Sequence, residues 1–186
     1  MYEELEGAGQ LIIKIDGNSL DVYTLGVLQI NLHYISNKVA YWLLSQEGIL
    51  EPTWRRPKYL SVKRSFSQID IIKVKINEVK AGSWYESVRF FLATALAEPD
   101  IRAILQNLAA NIIWAIGASG IRGIVTKPEI QPPKIYPPLL KRQDPIEIGP
   151  NLRETIMSLS QNNNKGTLKF EHESNQEKIK VEIKIN

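Results

Sequence analysis

Two patterns of apolar positions near the start of the chain predict a strand followed by a long helix. The aliphatic run 10–15 precedes an Asp-Gly-Asn sequence, which is typical of a strand that ends in a turn. Apolar residues then recur at spacings of three and four, as on one face of an α-helix. Ser19 or Asp21 can cap this helix, and Gly48 ends it. The apolar stripe consists of Val22, Leu25, Leu28, Leu32, Ile35, Val39, Trp42 and Leu43.

The middle of the chain predicts a second strand and then a pair of helices. The segment from Gln68 to Lys80 is rich in β-branched residues, and apolar residues fall at both its odd and its even positions. Either both faces of this strand are buried, or a bulge shifts its register. Ser83 and Glu86 have the spacing of a capping box, and Pro99 fits the first turn of another helix. We therefore expect an apolar helical pair within residues 84–124.

A proline-rich segment follows and predicts an extended arm. Seven of the ten prolines lie between residues 127 and 150, a density that excludes both a helix and a central strand. The arm also carries apolar residues, which favours contact with the protein itself or with a partner. The candidates for partner binding are Ile135, Tyr136, Leu139 and Leu140.

The C-terminal residues predict a short helix and a hairpin. Asn151 and Glu154 begin the helix, and two segments of strictly alternating apolar and charged residues follow it. The expected fold is α+β, with a small, mostly antiparallel sheet of two to four strands. This sheet packs against the long N-terminal helix and a central helical hairpin. We expect residues 1–126 to form the core, 127–150 an extended arm or linker, and 151–186 the short helix and hairpin, packed on the same core.

Composition excludes several kinds of chemistry. The 186 residues include no Cys and two His, and the net charge is +3. A disulfide framework, a thiolate metal site and a cysteine nucleophile are therefore excluded. His33 and His172 lack the spacing of metal ligands, and we expect both to be at the surface or partly packed. We predict no metal and no cofactor. An enzyme is disfavoured but stays open, because an active site needs no known motif.

The N-terminus carries three glutamates within its first six residues and lacks a basic region followed by an apolar stretch. It therefore does not match a secretory signal, and we expect a cytoplasmic location.

One short segment concentrates cations and aromatic side chains. Arginines can bind phosphates in a forked geometry, and aromatic rings can stack on unpaired bases, so contact with nucleic acid is a physically sensible hypothesis. The candidate residues are Trp54, Arg55, Arg56, Lys58, Tyr59, Lys63 and Arg64.

Three functions stay open at the level of the sequence. The favoured one is a non-enzymatic module for protein–protein interaction, a subunit of a larger cytoplasmic complex or a homo-oligomer, partly because the outer edge of the C-terminal hairpin can accept another strand. The first alternative is an accessory protein that binds nucleic acid through residues 54–64. The second is a membrane-active effector that uses the apolar helical pair 84–124 after a conformational change.

Overall fold

The computed structural model describes residues 1–16, 20–49, 70–80, 84–119, 146–161, 166–173 and 178–185. Within these residues the strands are β1 (Tyr2–Glu4), β2 (Leu11–Asp16), β3 (Ile72–Lys80), β4 (Trp84–Ala93), β5 (Gly166–Glu173) and β6 (Lys178–Ile185). The helices are α1 (Val22–Gln46), α2 (Pro99–Ile104), α3 (Leu108–Ala118) and α4 (Gly149–Gln161). The predicted α+β class is confirmed.

The six strands form one antiparallel sheet in which β4 pairs with three other strands, β1, β2 and β3. β3 pairs along one side of β4 over its full length, so β1 and β2 both lie on the other side. β5 pairs with β2, and β6 pairs with β5, which leaves β3 and β6 as the outer strands. The sheet is larger than the predicted two to four strands. Its first strand, β1, has only three residues, too few to show an alternating pattern in the sequence.

The long helix α1 is confirmed and is buried around most of its second half. Asp21 caps it by accepting a hydrogen bond from the backbone N–H of Thr24 at 2.7 Å. Gly48 follows the helix with a φ of 71°, a conformation that favours glycine. Val22, expected in the apolar stripe, is 87% exposed, so the buried face begins at Thr24.

The first member of the expected helical pair is in fact the strand β4, so the central helical hairpin is wrong. Val88, Phe90 and Leu92 are buried on one face, and Arg89 between them is exposed. These apolar positions fit a spacing of two as well as a helical one, and antiparallel pairing with the preceding β3 selects the strand. Glu86, the expected capping-box residue, is a buried strand residue.

The second member of the pair is present as two helices. α2 begins at Pro99 as predicted, but Asn107 then adopts a φ of 62°, in the left-handed region that asparagine tolerates. The N–H groups of Asn107 and Ala109 donate to the carbonyl oxygens of Gly7 and Ala8, each at 2.9 Å. The loop between β1 and β2 therefore provides acceptors for the first turn of α3.

The C-terminal helix and hairpin are confirmed. α4 begins at Gly149, with Pro150 in its first turn. Proline lacks an N–H, and no hydrogen bond within the helix is lost there, because N–H groups of the first turn have no helical acceptor. β5 and β6 pair from Gly166 to Glu173 without a register shift. The expected bulge in β3 is also confirmed, between Ile76 and Glu78.

One face of the sheet forms the core together with the helices. α1 packs against β3, α3 packs against β5 and β6, and α4 packs against α1 and β6. His172 belongs to this face and is 5% exposed, so the expectation that it is at the surface or partly packed is wrong. Its Nδ1 lies 2.9 Å from the carbonyl oxygen of Gln10.

Candidate functional site

Both groups of residues that the sequence nominates as binding sites lie outside the described residues. The basic and aromatic group comprises Trp54, Arg55, Arg56, Lys58, Tyr59, Lys63 and Arg64. The partner-binding group comprises Ile135, Tyr136, Leu139 and Leu140. Nucleic-acid binding by the first and partner binding by the second stay predictions.

The apolar segment 84–124 contributes to the core over the residues that are described. Its first part is β4, and residues 108–116 of α3 are all buried. In the described part of the chain, no helix is both long enough and apolar enough to cross a bilayer. Membrane activity of segment 84–124 stays a prediction.

The two outer strands of the sheet differ in how their edges are protected. At β3, the side chain of Asn37 reaches across from α1 and bonds the backbone of Ile72 twice. The Ile72 N–H donates to Asn37 Oδ1 at 2.9 Å, and Asn37 Nδ2 donates to the Ile72 carbonyl at 2.8 Å. The amide thus takes the position of a neighbouring peptide group, and the bulge after Ile76 further disturbs this edge.

The edge of β6 has neither device within the described residues. All eight of its residues pair in register with β5, it contains no proline, and no described strand pairs with its outer side. Its inward side chains are buried, and its outward side chains are all charged, with Lys180 paired to Glu182 and with Lys178 and Lys184 at the two ends. An unpaired edge of this kind offers backbone groups to a further strand.

The described helices leave the other face of the sheet uncovered, and most of its charges are paired toward β5 and β6. Lys14 Nζ lies 2.6 Å from Glu171 Oε2, and Lys169 pairs with Asp16. Lys14 and Lys169 face each other in the β2–β5 register, so these carboxylates relieve a repulsion between like charges.

At the β3 and β4 end of this face, lysines lie over aromatic rings instead. Lys73 Nζ is 5.4 Å from the centroid of the Tyr2 ring, and Lys75 Nζ is 4.1 Å from that of Phe91. Both distances are within the range of a cation–π interaction. Neither lysine has a carboxylate partner among the described residues, and Lys75 faces Arg89 directly in the strand register. We name Tyr2, Lys73, Lys75 and Phe91 the lysine–aromatic strip.

The strip borders an open cleft of about 720 Å³ between α1 and the edge of β3. Tyr2, Lys73 and Lys75 line the cleft together with His33 of α1 and with Asp70, which precedes β3. His33 Nε2 lies 3.2 Å from Asp70 Oδ1, with the His33 side chain 27% exposed, so this residue is partly packed as expected. The described lining residues include no Ser, Thr or Cys that this pair could activate as a nucleophile.

The described residues also show no cluster of three His, Asp or Glu side chains placed to hold a metal ion.

The alternating pattern of the hairpin predicts its exposed outer edge, whereas the sequence analysis does not predict the lysine–aromatic strip. The signal for the strip is the alternation of Lys73 and Lys75 with apolar residues in β3, opposite the alternating Arg89 and Phe91 in β4. This signal indicates a strip only if residues 84–93 form a strand. Comparison with known proteins finds no matching family model, no similar curated protein and no similar solved structure.

Proposed function

We propose that this protein is a non-enzymatic assembly module, one subunit of a larger cytoplasmic complex, and that it assembles through the outer edge of β6. The observation that supports this proposal is the contrast between the two outer strands. The β3 edge is occupied by the Asn37 amide and broken by a bulge, whereas β6 is regular over eight residues. Long regular edges pair readily with another strand unless a protein protects them.

The outward charges of β6 favour a second copy of this chain as the partner. When two copies of β6 meet antiparallel around a two-fold axis at Val181, Lys180 of each copy faces Glu182 of the other. Lys178 then faces Lys184, so two attractive pairs at the centre oppose two repulsive pairs at the ends. The inward positions match as well, because Ile179 faces Ile183. The sheet would continue across the axis.

This register predicts opposite effects for two substitutions of outward residues. Glu182→Lys turns both central pairs into repulsions and should raise the dimer dissociation constant roughly tenfold. Lys184→Glu turns both terminal repulsions into attractions and should lower it by a similar factor. Sedimentation equilibrium of the full chain over a range of concentrations measures each constant.

The charge swap Lys180→Glu with Glu182→Lys restores the central pairs and should restore the affinity of the unmodified chain. The matched control is Glu47→Lys, which makes the same charge change at an exposed position after α1 and should leave the constant unchanged. A chain that stays monomeric up to millimolar concentration would overturn the proposal. A dimer whose constant responds equally to Glu47→Lys and Glu182→Lys would overturn the register.

A further inference from the structure

We propose that the lysine–aromatic strip is a binding site for single-stranded nucleic acid. Unpaired bases stack on Phe91 and Tyr2, and phosphates contact Lys73 and Lys75. The site includes no residue of segment 54–64 and lies at the opposite end of the sheet from β6. It therefore does not depend on self-association.

Each ring of the strip already contacts the ammonium group of a lysine. An ammonium 4.1 Å from the centroid of Phe91 shows that this ring contacts a cation on the side of the sheet that the described helices leave uncovered. An unpaired base can take the place of the ammonium on that face, because every base presents a flat π surface. Moving Lys73 or Lys75 breaks no described ion pair, so the exchange sacrifices only a cation–π contact.

The displaced lysines then provide the electrostatic part of binding. Lys73 and Lys75 are two residues apart on one face of a strand, so their Cα atoms are separated by about 7 Å. Flexible side chains at this separation can reach two phosphates of one strand. Lys75 also faces Arg89 in the strand register, and Arg89 already pairs with Glu4 at 2.9 Å. A phosphate between Lys75 and Arg89 would relieve the repulsion that remains between the two cations.

The cleft beside the strip determines which part of the nucleic acid enters it. Its volume of about 720 Å³ falls within the usual range of ligand sites. Asp70 and Glu86 line it, and their carboxylates would repel phosphates. The sugar–phosphate backbone therefore stays on the strip, and a base turns into the cleft. A duplex, whose bases are stacked and paired, cannot bind in this way.

The site is tested by fluorescence anisotropy with labelled oligothymidylate and oligouridylate of about 15 nucleotides. Binding is measured at NaCl concentrations from about 50 to 300 mM. Phe91→Leu keeps an apolar side chain but removes the ring, and should weaken binding roughly tenfold with the salt dependence unchanged. Lys73→Gln with Lys75→Gln should weaken binding and reduce the slope of log K against log salt concentration by about 1.4, the value for two phosphates of a single strand.

The matched control is Arg153→Gln, which removes one positive charge from an exposed position of α4 and should leave the slope nearly unchanged. Circular dichroism confirms that each variant is folded. Equal affinity for a duplex of the same length, tighter binding to phosphatidylserine vesicles, or no binding at the lowest salt would overturn the proposal. Loss of binding on Arg55→Ala with Arg56→Ala, but not on the strip substitutions, would assign the contact to segment 54–64 instead.

Discussion

Gly9 lies where any side chain would collide with the ring of His172. Its φ of 77° is in the left-handed region, and a Cβ added there would overlap His172 Cε1 and lie 3.1 Å from Nδ1. The imidazole is buried and cannot move aside without losing its contact with the Gln10 carbonyl. We expect Gly9→Ala to lower the free energy of unfolding by about 2–4 kcal/mol, from backbone strain and overpacking together. Urea denaturation of the folded chain measures this change.

Gly26 provides the matched control for this prediction. It lies within α1, and a Cβ there would meet nothing within 4 Å. Gly26→Ala should therefore raise the free energy of unfolding by about 0.5–1 kcal/mol, because alanine restricts the unfolded chain and favours the helix. If the two substitutions changed stability alike, the close contact between Gly9 and His172 would be contradicted.

At the scale of the element, the start of α1 depends on one carboxylate. The Thr24 N–H donates to Asp21 Oδ1, and the Thr24 hydroxyl donates to Oδ2 at 3.0 Å. These bonds favour the ionised form, and the backbone bond is the main reason that the pKa of Asp21 lies below its ordinary value of 3.8. The sequence offered Ser19 or Asp21 as the cap, and the structure identifies Asp21.

This lowered pKa predicts a change of stability in acid. The contribution of the Asp21 carboxylate is complete above pH 3.8 and is lost as the pH falls through the lower pKa of the folded state. Asp21→Asn keeps a capping oxygen but does not titrate there. The difference in unfolding free energy between the two chains should therefore be constant at neutral pH and change below pH 3.8. Urea denaturation between neutral and strongly acidic pH provides the comparison, and parallel profiles would contradict it.

The sequence predicts some elements better than others, because only some elements are specified by their own residues. α1 and the β5–β6 hairpin have long amphipathic repeats and local end signals, so their own residues specify them. β4 has apolar residues that fit two periods, and its neighbour β3 selects between them. The lysine–aromatic strip exists only when β1, β3 and β4 are paired, so no local pattern in the sequence specifies it.

At the scale of the whole molecule, a buried polar chain joins the N-terminal helix to the C-terminal third. Lys38 Nζ donates to the carbonyl of Glu147 at 2.7 Å and to Asn151 Oδ1 at 2.8 Å. Asn151 Nδ2 donates to Asn31 Oδ1 at 2.9 Å. All three side chains are buried, so each relies on protein partners in place of water. Lys38 and Asn151 are 113 positions apart, a separation that no local pattern reveals.

This polar chain makes α1 and α4 stabilise each other. Asn151→Leu deprives the buried Lys38 ammonium of one acceptor and should lower the free energy of unfolding by about 3 kcal/mol. Lys38→Met removes the donor of the bonds to the Glu147 carbonyl and to Asn151 Oδ1, and should lower it by about 2 kcal/mol.

The double substitution replaces the polar pair with apolar side chains. It should lower the free energy of unfolding by at least about 1 kcal/mol less than the two single changes added together, because neither partner of the pair is then left buried alone. Urea denaturation of the four chains gives this coupling energy directly. Thr155→Val is the matched control, since its buried hydroxyl donates within α4 to the Asn151 carbonyl at 3.0 Å. We expect it to add independently to Lys38→Met. Strict additivity of Lys38→Met with Asn151→Leu would show instead that packing alone holds α4 against α1.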